Sequence, residues 1–148
     1  MIKAQVLLPS QLPEVYKRIE PYLPDRVRDY NTLVQLYLDK STLFFEIGDF
    51  EGVFWLSDLV PGWYASVHIV TWSNAITEKY ARARTILKDI MFLFRLQKLV
   101  ARIPIIFPEA IKFVEELGFS LEGTHKLGDR YNDEYVTVFS YGLFPEDV

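Results

Sequence analysis

Ala110-Ile111-Lys112-Phe113-Val114-Glu115-Glu116-Leu117-Gly118-Phe119, followed by Ser120-Leu121-Glu122-Gly123, is the stretch on which the fold turns. Pro108 stands just before it, at a first-turn position where its missing N–H costs nothing, and Gly118 stands where a left-handed C-cap residue is needed. The pattern predicts a helix over residues 108–117 with Ile111, Val114 and Leu117 as its buried stripe. Phe119 is placed to fold back on the last turn. Directly before the helix, residues 98–103 form a short, nearly continuous apolar run bounded by Pro104, which reads as a buried central strand. After it, residues 120–126 and 134–143 read as two strands. The polar turn Gly128-Asp129-Arg130-Tyr131-Asn132-Asp133 separates them.

Working toward the N-terminus, residues 77–96 carry Tyr80, Ile86, Leu87, Ile90, Met91 and Phe94 at helical spacing. Lys79, Arg82, Lys88, Asp89 and Arg95 fall largely on the other side. Residues 63–72, rich in Tyr, Val, His, Ile and Thr, favour a strand after the break at Pro61-Gly62. Residues 42–47 and 50–56 flank Gly48-Asp49 and read as a hairpin. Residues 2–8 predict a first strand, with Ser10 as N-cap of a helix bearing Leu12, Val15, Ile19 and Tyr22. Pro21 and Pro24 end that helix. A second helix is expected from Asp25, with Val27, Tyr30, Leu33, Val34 and Tyr37 at steps of three and four. The predicted order is βααβββαβαββ, an α/β (α+β) domain with a mixed sheet of about seven strands over residues 1–148.

Composition supports one folding unit. Of the 148 residues, half are hydrophobic and 16% aromatic, enough apolar surface to fold without disulfides or a structural metal. There is no cysteine, which excludes disulfides, thiolate catalysis and Cys-ligated zinc. With two distant histidines, His68 and His125, no metal site is expected. Net charge is −4, against the broad basic surface that nucleic-acid binding requires. Residues 86–100 are interrupted by Lys88, Asp89, Arg95 and Lys98, so no membrane span is expected. The N-terminal residues lack the pattern of a signal peptide, and a cytoplasmic location is the default expectation. Gly-x-x-x-x-Gly-Lys, Gly-x-Ser-x-Gly and His-Glu-x-x-His are all missing, leaving P-loop, serine-hydrolase and zincin chemistry without their parts.

Leu117-Gly118-Phe119 alone is what any capped helix entering a strand shows; the specificity lies in the elements around it. Leu99-Val100-Ala101-Arg102-Ile103, the Leu-Gly-Phe helix, Leu121-Glu122-Gly123 and the acid-bearing polar turn follow each other as in GNAT acyl-CoA N-acyltransferases. The chain resembles that superfamily, with its C-terminal half most similar to the ribosomal-protein N-acetyltransferase branch. The resemblance is close over about a third of the chain and rests on element order elsewhere.

The resemblance implies that acetyl-CoA enters a gap between two splayed parallel strands, residues 63–72 and 98–103, its pantetheine pairing with strand backbone. It assigns thioester polarisation to a backbone N–H near Ile69, Val70 and Thr71. The pyrophosphate loop aligns with residues 78–84, where Ala81 and Ala83 replace glycines and Glu78 replaces a basic or amide residue. Lys79, Arg82 and Arg84 are then the candidate phosphate partners; the same cluster also reads as an ordinary solvated helix start. The family's thiol-protonating tyrosine corresponds to Val114, the serine of the ribosomal-protein branch to Ala110, and the asparagine before the helix to Phe107 or Pro108. None of these can donate a proton to a thiolate. His68 is the first replacement candidate, on the strand beside the gap, with Glu122 and Asp133 next. His68 reads equally as a structural histidine, and the two acids as turn caps. Trp55, Trp63, Tyr64 and Trp72 read either as an acceptor pocket or as core.

The implied activity is transfer of an acetyl group from acetyl-CoA to an amine on a small molecule or a protein N-terminus. The missing side chains keep open a non-catalytic binding or assembly module, with a possible homodimer, and an acyl-CoA sensor without turnover.

Overall fold

The computed structural model describes residues 4–47, 50–72 and 79–148. Along them run β1 (Ala4–Val6), α1 (Leu12–Ile19), α2 (Tyr30–Leu38), β2 (Leu43–Ile47), β3 (Gly52–Val60), β4 (Tyr64–Thr71), α3 (Lys79–Leu93), β5 (Lys98–Pro104), α4 (Pro108–Glu116), β6 (Ser120–Tyr131) and β7 (Glu134–Leu143). This is the expected βααβββαβαββ order. The seven strands form one mixed sheet, β1-β2-β3-β4-β5-β7-β6. Only β4 and β5 are parallel. Hairpin-like links join the antiparallel neighbours β2–β3, β3–β4 and β6–β7, whereas a parallel pair needs a long crossover, which α3 supplies.

Side chains alternate across each strand, so the sheet carries an apolar core on each face. On one face Ala65 and Val67 of β4, Leu99 and Ala101 of β5, and Tyr141 and Leu143 of β7 pack with Ile86, Leu87, Ile90 and Met91 of α3 and Phe113 and Val114 of α4. On the other, Phe44, Val53 and Trp55 pack with Leu12, Val15 and Ile19 of α1 and Leu33 of α2. Val70 and Trp72 flank this second core.

The helix that decided the fold ends as its sequence dictates. Gly118 has φ +102°, and the Gly118 and Phe119 N–H groups donate to the Glu115 and Val114 carbonyls at 3.1 and 3.0 Å. Phe119 is buried on the core. Within this helix the buried set is Phe113 and Val114, with Ile111 only half-buried.

Several local expectations need correction. Ser10 lies inside a 3₁₀ turn, Pro9–Gln11, ahead of α1; the local cap is instead the Gln11 side chain, whose Oε1 accepts from the Leu8 N–H at 2.8 Å. Tyr22 belongs to a separate 3₁₀ turn, Glu20–Tyr22, because Pro21 prevents α1 from continuing, and it is exposed. Asp25 opens only a 3₁₀ turn, Asp25–Val27; α2 starts at Tyr30, because the Asp29 carboxylate accepts from the Thr32 N–H at 3.1 Å. β5 is not apolar throughout, since Arg102 is exposed between Ala101 and Ile103. Most of the supposed polar turn is strand: β6 runs to Tyr131, and only Asn132 and Asp133, both at positive φ, make the turn. A bulge between His125 and Asp129 absorbs the extra residues. Gly48 and Asp49 lie outside the described residues.

Candidate active site

The parallel pair that α3 creates is only half joined. β4 and β5 are in register at Tyr64↔Lys98, Ala65↔Leu99 and Ser66↔Val100, and the ladder stops there. Beyond it β4 stays with β3 as far as Gly52↔Thr71, and β5 stays with β7 as far as Pro104↔Val138. Each strand follows its outer neighbour, so the two part and leave a wedge in the sheet. Gly52 makes this possible on the β3 side: a Cβ there would meet the Val70 carbonyl oxygen at 2.7 Å and Thr71 Cα at 3.1 Å.

Hydrogen bonds in an antiparallel pair alternate, so one observed bond assigns the rest. The Trp72 N–H donates to the Glu51 carbonyl at 3.0 Å. By alternation Val70 and His68 direct their N–H and C=O groups to β3, while Ile69 and Thr71 direct theirs into the wedge. On the other lip, the Ile105 N–H donates to the Thr137 carbonyl at 2.9 Å, which turns the main chain of Arg102 and Pro104 toward the wedge. Pro104, which has no N–H, therefore removes no bond from the β5–β7 ladder. Of the three residues suggested for backbone polarisation, Ile69 and Thr71 face the opening and Val70 does not.

The start of α3 stands at the open end. Arg82 Nη1 pairs with Glu51 Oε2 at 3.1 Å, one residue from Gly52 and its partner Thr71. Tyr80 packs on Phe113 of α4 at 5.1 Å, and its phenol is raised above its ordinary value by a hydrogen bond to Glu116. Among the described residues no acidic residue sits in the first turn of α3, which favours anions near this helix start. Ala81 is exposed there, whereas Ala83 is buried in the core. Arg84 Nη2 donates to the Glu116 carbonyl at 2.8 Å, so this guanidinium, like that of Arg82, already serves protein acceptors. Glu78 and the side chain of Lys79 lie outside the described residues.

The three acid–base candidates occupy three different places. His68 is the last ring of an aromatic run across the sheet: Tyr37 on Phe44, Phe44 stacked on Trp55, Trp55 stacked on His68 with centroids 4.8 Å apart. Its Nε2 is 3.2 Å from Ser57 Oγ on β3. Burial, aided by the Arg26 charge, pushes its pKa down to about 4, so the ring is neutral near pH 7. Glu122 is at the closed end, its Oε1 2.6 Å from Lys98 Nζ and its carboxyl lying over Gly142. Asp133 is in the β6–β7 turn beyond the open end. Its N–H and that of Asn132 donate to Asp25 at 2.9 Å, which holds the Asp25 carboxyl below its ordinary value. Among the aromatics, Trp55 is core and Trp63 is exposed beside the closed end, so they do not gather into one pocket.

Sequence reading missed a second set of residues at the mouth, on the face shared with α1 and α2. Tyr131 is buried against Phe107, which also meets Tyr22. Burial first, and Asp129 next, push its phenol up to about 12, against the opposing fields of Arg26, Arg28 and Arg102. The available signal was Arg102 itself, a lone charge inside an apolar strand run. Among the described residues no group of three or more metal-ligating side chains occurs, and no helix is long and apolar enough to cross a membrane.

No protein-family model matches the chain, and no curated protein matches it by sequence. Solved structures do match by shape. Spermidine N-acetyltransferase from Vibrio cholerae, in complex with CoA and spermine, superimposes with TM-score 0.82 at 16% identity, over 99% of this chain and 96% of that one. A chimera of that enzyme with hSSAT gives 0.78 at 18% identity, over 97% and 96%. A dodecameric form of the Vibrio enzyme in an intermediate state gives 0.79 at 16%, over 98% and 94%. The fold of this chain is the GNAT fold.

Proposed function

We propose that the chain is an N-acetyltransferase that moves an acetyl group from acetyl-CoA to an amine. The observation that carries this is the wedge: main-chain groups of Ile69 and Thr71 on one lip and of Arg102 on the other that the β4–β5 ladder leaves unjoined, placed to receive an extended pantetheine arm as an added strand. The α3 N-terminus at the same end supplies N–H groups for pyrophosphate. A solved neighbour with this fold carries CoA, which supports the same co-substrate here.

In this reading the amine nitrogen attacks the thioester carbonyl, the C–N bond forms, and the C–S bond breaks as the thiolate takes up a proton. The wedge-facing Ile69 N–H is the donor for the carbonyl oxygen as negative charge develops on it. The amine must arrive neutral. His68 is the candidate proton acceptor: its ring is neutral, and within the described residues only Nε2 is engaged, by Ser57. Its low pKa makes it a weak base, so placement and polarisation carry most of the rate. The Leu-Gly-Phe helix and the acid-bearing β6–β7 hairpin that follows it support a ribosomal-protein-like branch, and with it a protein N-terminus as one acceptor class.

One observation favours a second reading, a CoA-binding sensor without turnover: Phe107, Ala110 and Val114 leave the α4 side of the wedge without a proton donor. Titration calorimetry with CoA, then free-thiol release with acetyl-CoA and a mixed amine panel, separates the two. Heat and thiol release support the transferase, and heat without thiol release supports the sensor. No heat and no thermal shift at millimolar CoA contradict both.

A further inference from the structure

The solved neighbours act on a polyamine, yet the acceptor-side mouth of this wedge is lined with guanidiniums. Arg102 and His68 lie on opposite lips, each two residues past the last laddered pair, Ser66↔Val100, and on the same face of the sheet. Arg26 and Arg28 come from the segment between α1 and α2, and their charges act, with that of Arg102, on Tyr131 at the end of β6. Arg26 also acts on His68, so these groups converge on the opening.

The carboxylates in the cluster are already used. Asp129 accepts from Arg26 Nε and Nη2 at 3.3 and 3.2 Å. Asp25 accepts two main-chain N–H groups and pairs with Arg130 at 3.2 Å. Arg28 donates to the Leu23 carbonyl and to Asn132 Oδ1. Asp133 and Glu134 stand at the exposed tip of the hairpin, past Tyr131. Arg102 differs from its neighbours: it is exposed and makes no hydrogen bond or ion pair among the described residues. A polycation approaching this lip meets like charge, whereas a carboxylate meets a planar donor with nothing to displace.

We infer that Arg102 is an anion anchor and that the acceptor is an amine that also carries a carboxylate, such as a free amino acid or a short peptide, rather than a polyamine. The inference rests on the acetyltransferase reading. Arg102 leaves the chemistry to the wedge main chain and acts on specificity, by holding the carboxylate so that the amine reaches the thioester.

Matched probes test it: β-alanine against β-alaninamide, glycylglycine against its amide, and spermidine, each followed by thiol release in wild type, Arg102→Lys and Arg102→Ala. The comparison of variants cancels the differing basicities of acid and amide. For the acids, Arg102→Ala is expected to lower kcat/KM about tenfold to a hundredfold, mainly through acceptor KM, with partial recovery in Arg102→Lys. For the amides the change is expected to stay within about twofold. Equal losses for acid and amide, a preference for spermidine, or a rise in the KM of acetyl-CoA instead of the acceptor overturns the inference and leaves the acetyltransferase reading standing. Turnover of no amine by wild type overturns both.

Discussion

The two ends of one strand pair behave oppositely. At the closed end, β4 and β5 are laddered through Ser66↔Val100, and Leu99, fully buried, holds the pair to the α3 and α4 core. At the open end the same strands are joined only to β3 and β7, and their inner main-chain groups have no partner from each other. Buried main-chain groups are nearly always satisfied, so a designed gap in a sheet is a place for something else to pair. The closed end supplies stability; the open end carries the proposed function.

Substitutions can break that comparison, and the expected effects run from large to small. Ile69→Pro deletes the N–H that faces the wedge and no bond to β3. Acetyl transfer is expected to fall about 10²–10³-fold while circular dichroism keeps the native spectrum; unchanged turnover would remove the polarising role. Leu99→Ala opens a cavity at the closed end and is expected to cost about 2–5 kcal/mol in denaturant unfolding. Its thiol release per folded molecule should match wild type.

Acid stability sharpens the contrast further. The His68 pKa is about 4 in the folded protein and 6.5 as a free side chain. Between those values the unfolded chain binds more protons, so stability is full above about pH 6.5 and falls as pH drops toward 4. The loss is on the order of 3 kcal/mol. His68→Asn is expected to flatten this part of the pH–stability curve, and a curve identical to wild type would contradict it. If His68 also accepts the proton of the amine, the same variant lowers transfer about a hundredfold; turnover equal to wild type restricts the residue to its place on Trp55. Smallest of all, Glu122→Gln breaks a partly exposed ion pair at the closed end and should change stability by about 1 kcal/mol or less. Turnover should not change, and its loss would return Glu122 to the catalytic group.

Legibility followed the same divide. Pro108, Gly118 and the apolar run from Leu99 act locally, so α4, its cap and the order of elements could be read from the sequence. The wedge was legible only through family resemblance, because main-chain direction depends on which neighbour each strand follows, and no side chain encodes it. The misplaced starts of α1 and α2 have a related cause: Ser10 and Asp25 are good caps on paper, but Gln11 and Asp29 capture the local N–H groups first. The mouth was least legible. Arg26 and Asp129 are 103 residues apart in sequence and meet only in the fold.

Amide hydrogen exchange, with and without CoA, tests the central claim most directly. The account predicts that the N–H groups of Ile69, Thr71 and Arg102 exchange readily in the free protein and become protected when CoA binds, while Ala65 stays protected throughout. Protection of those three amides without CoA, or no change when CoA is bound, would contradict it.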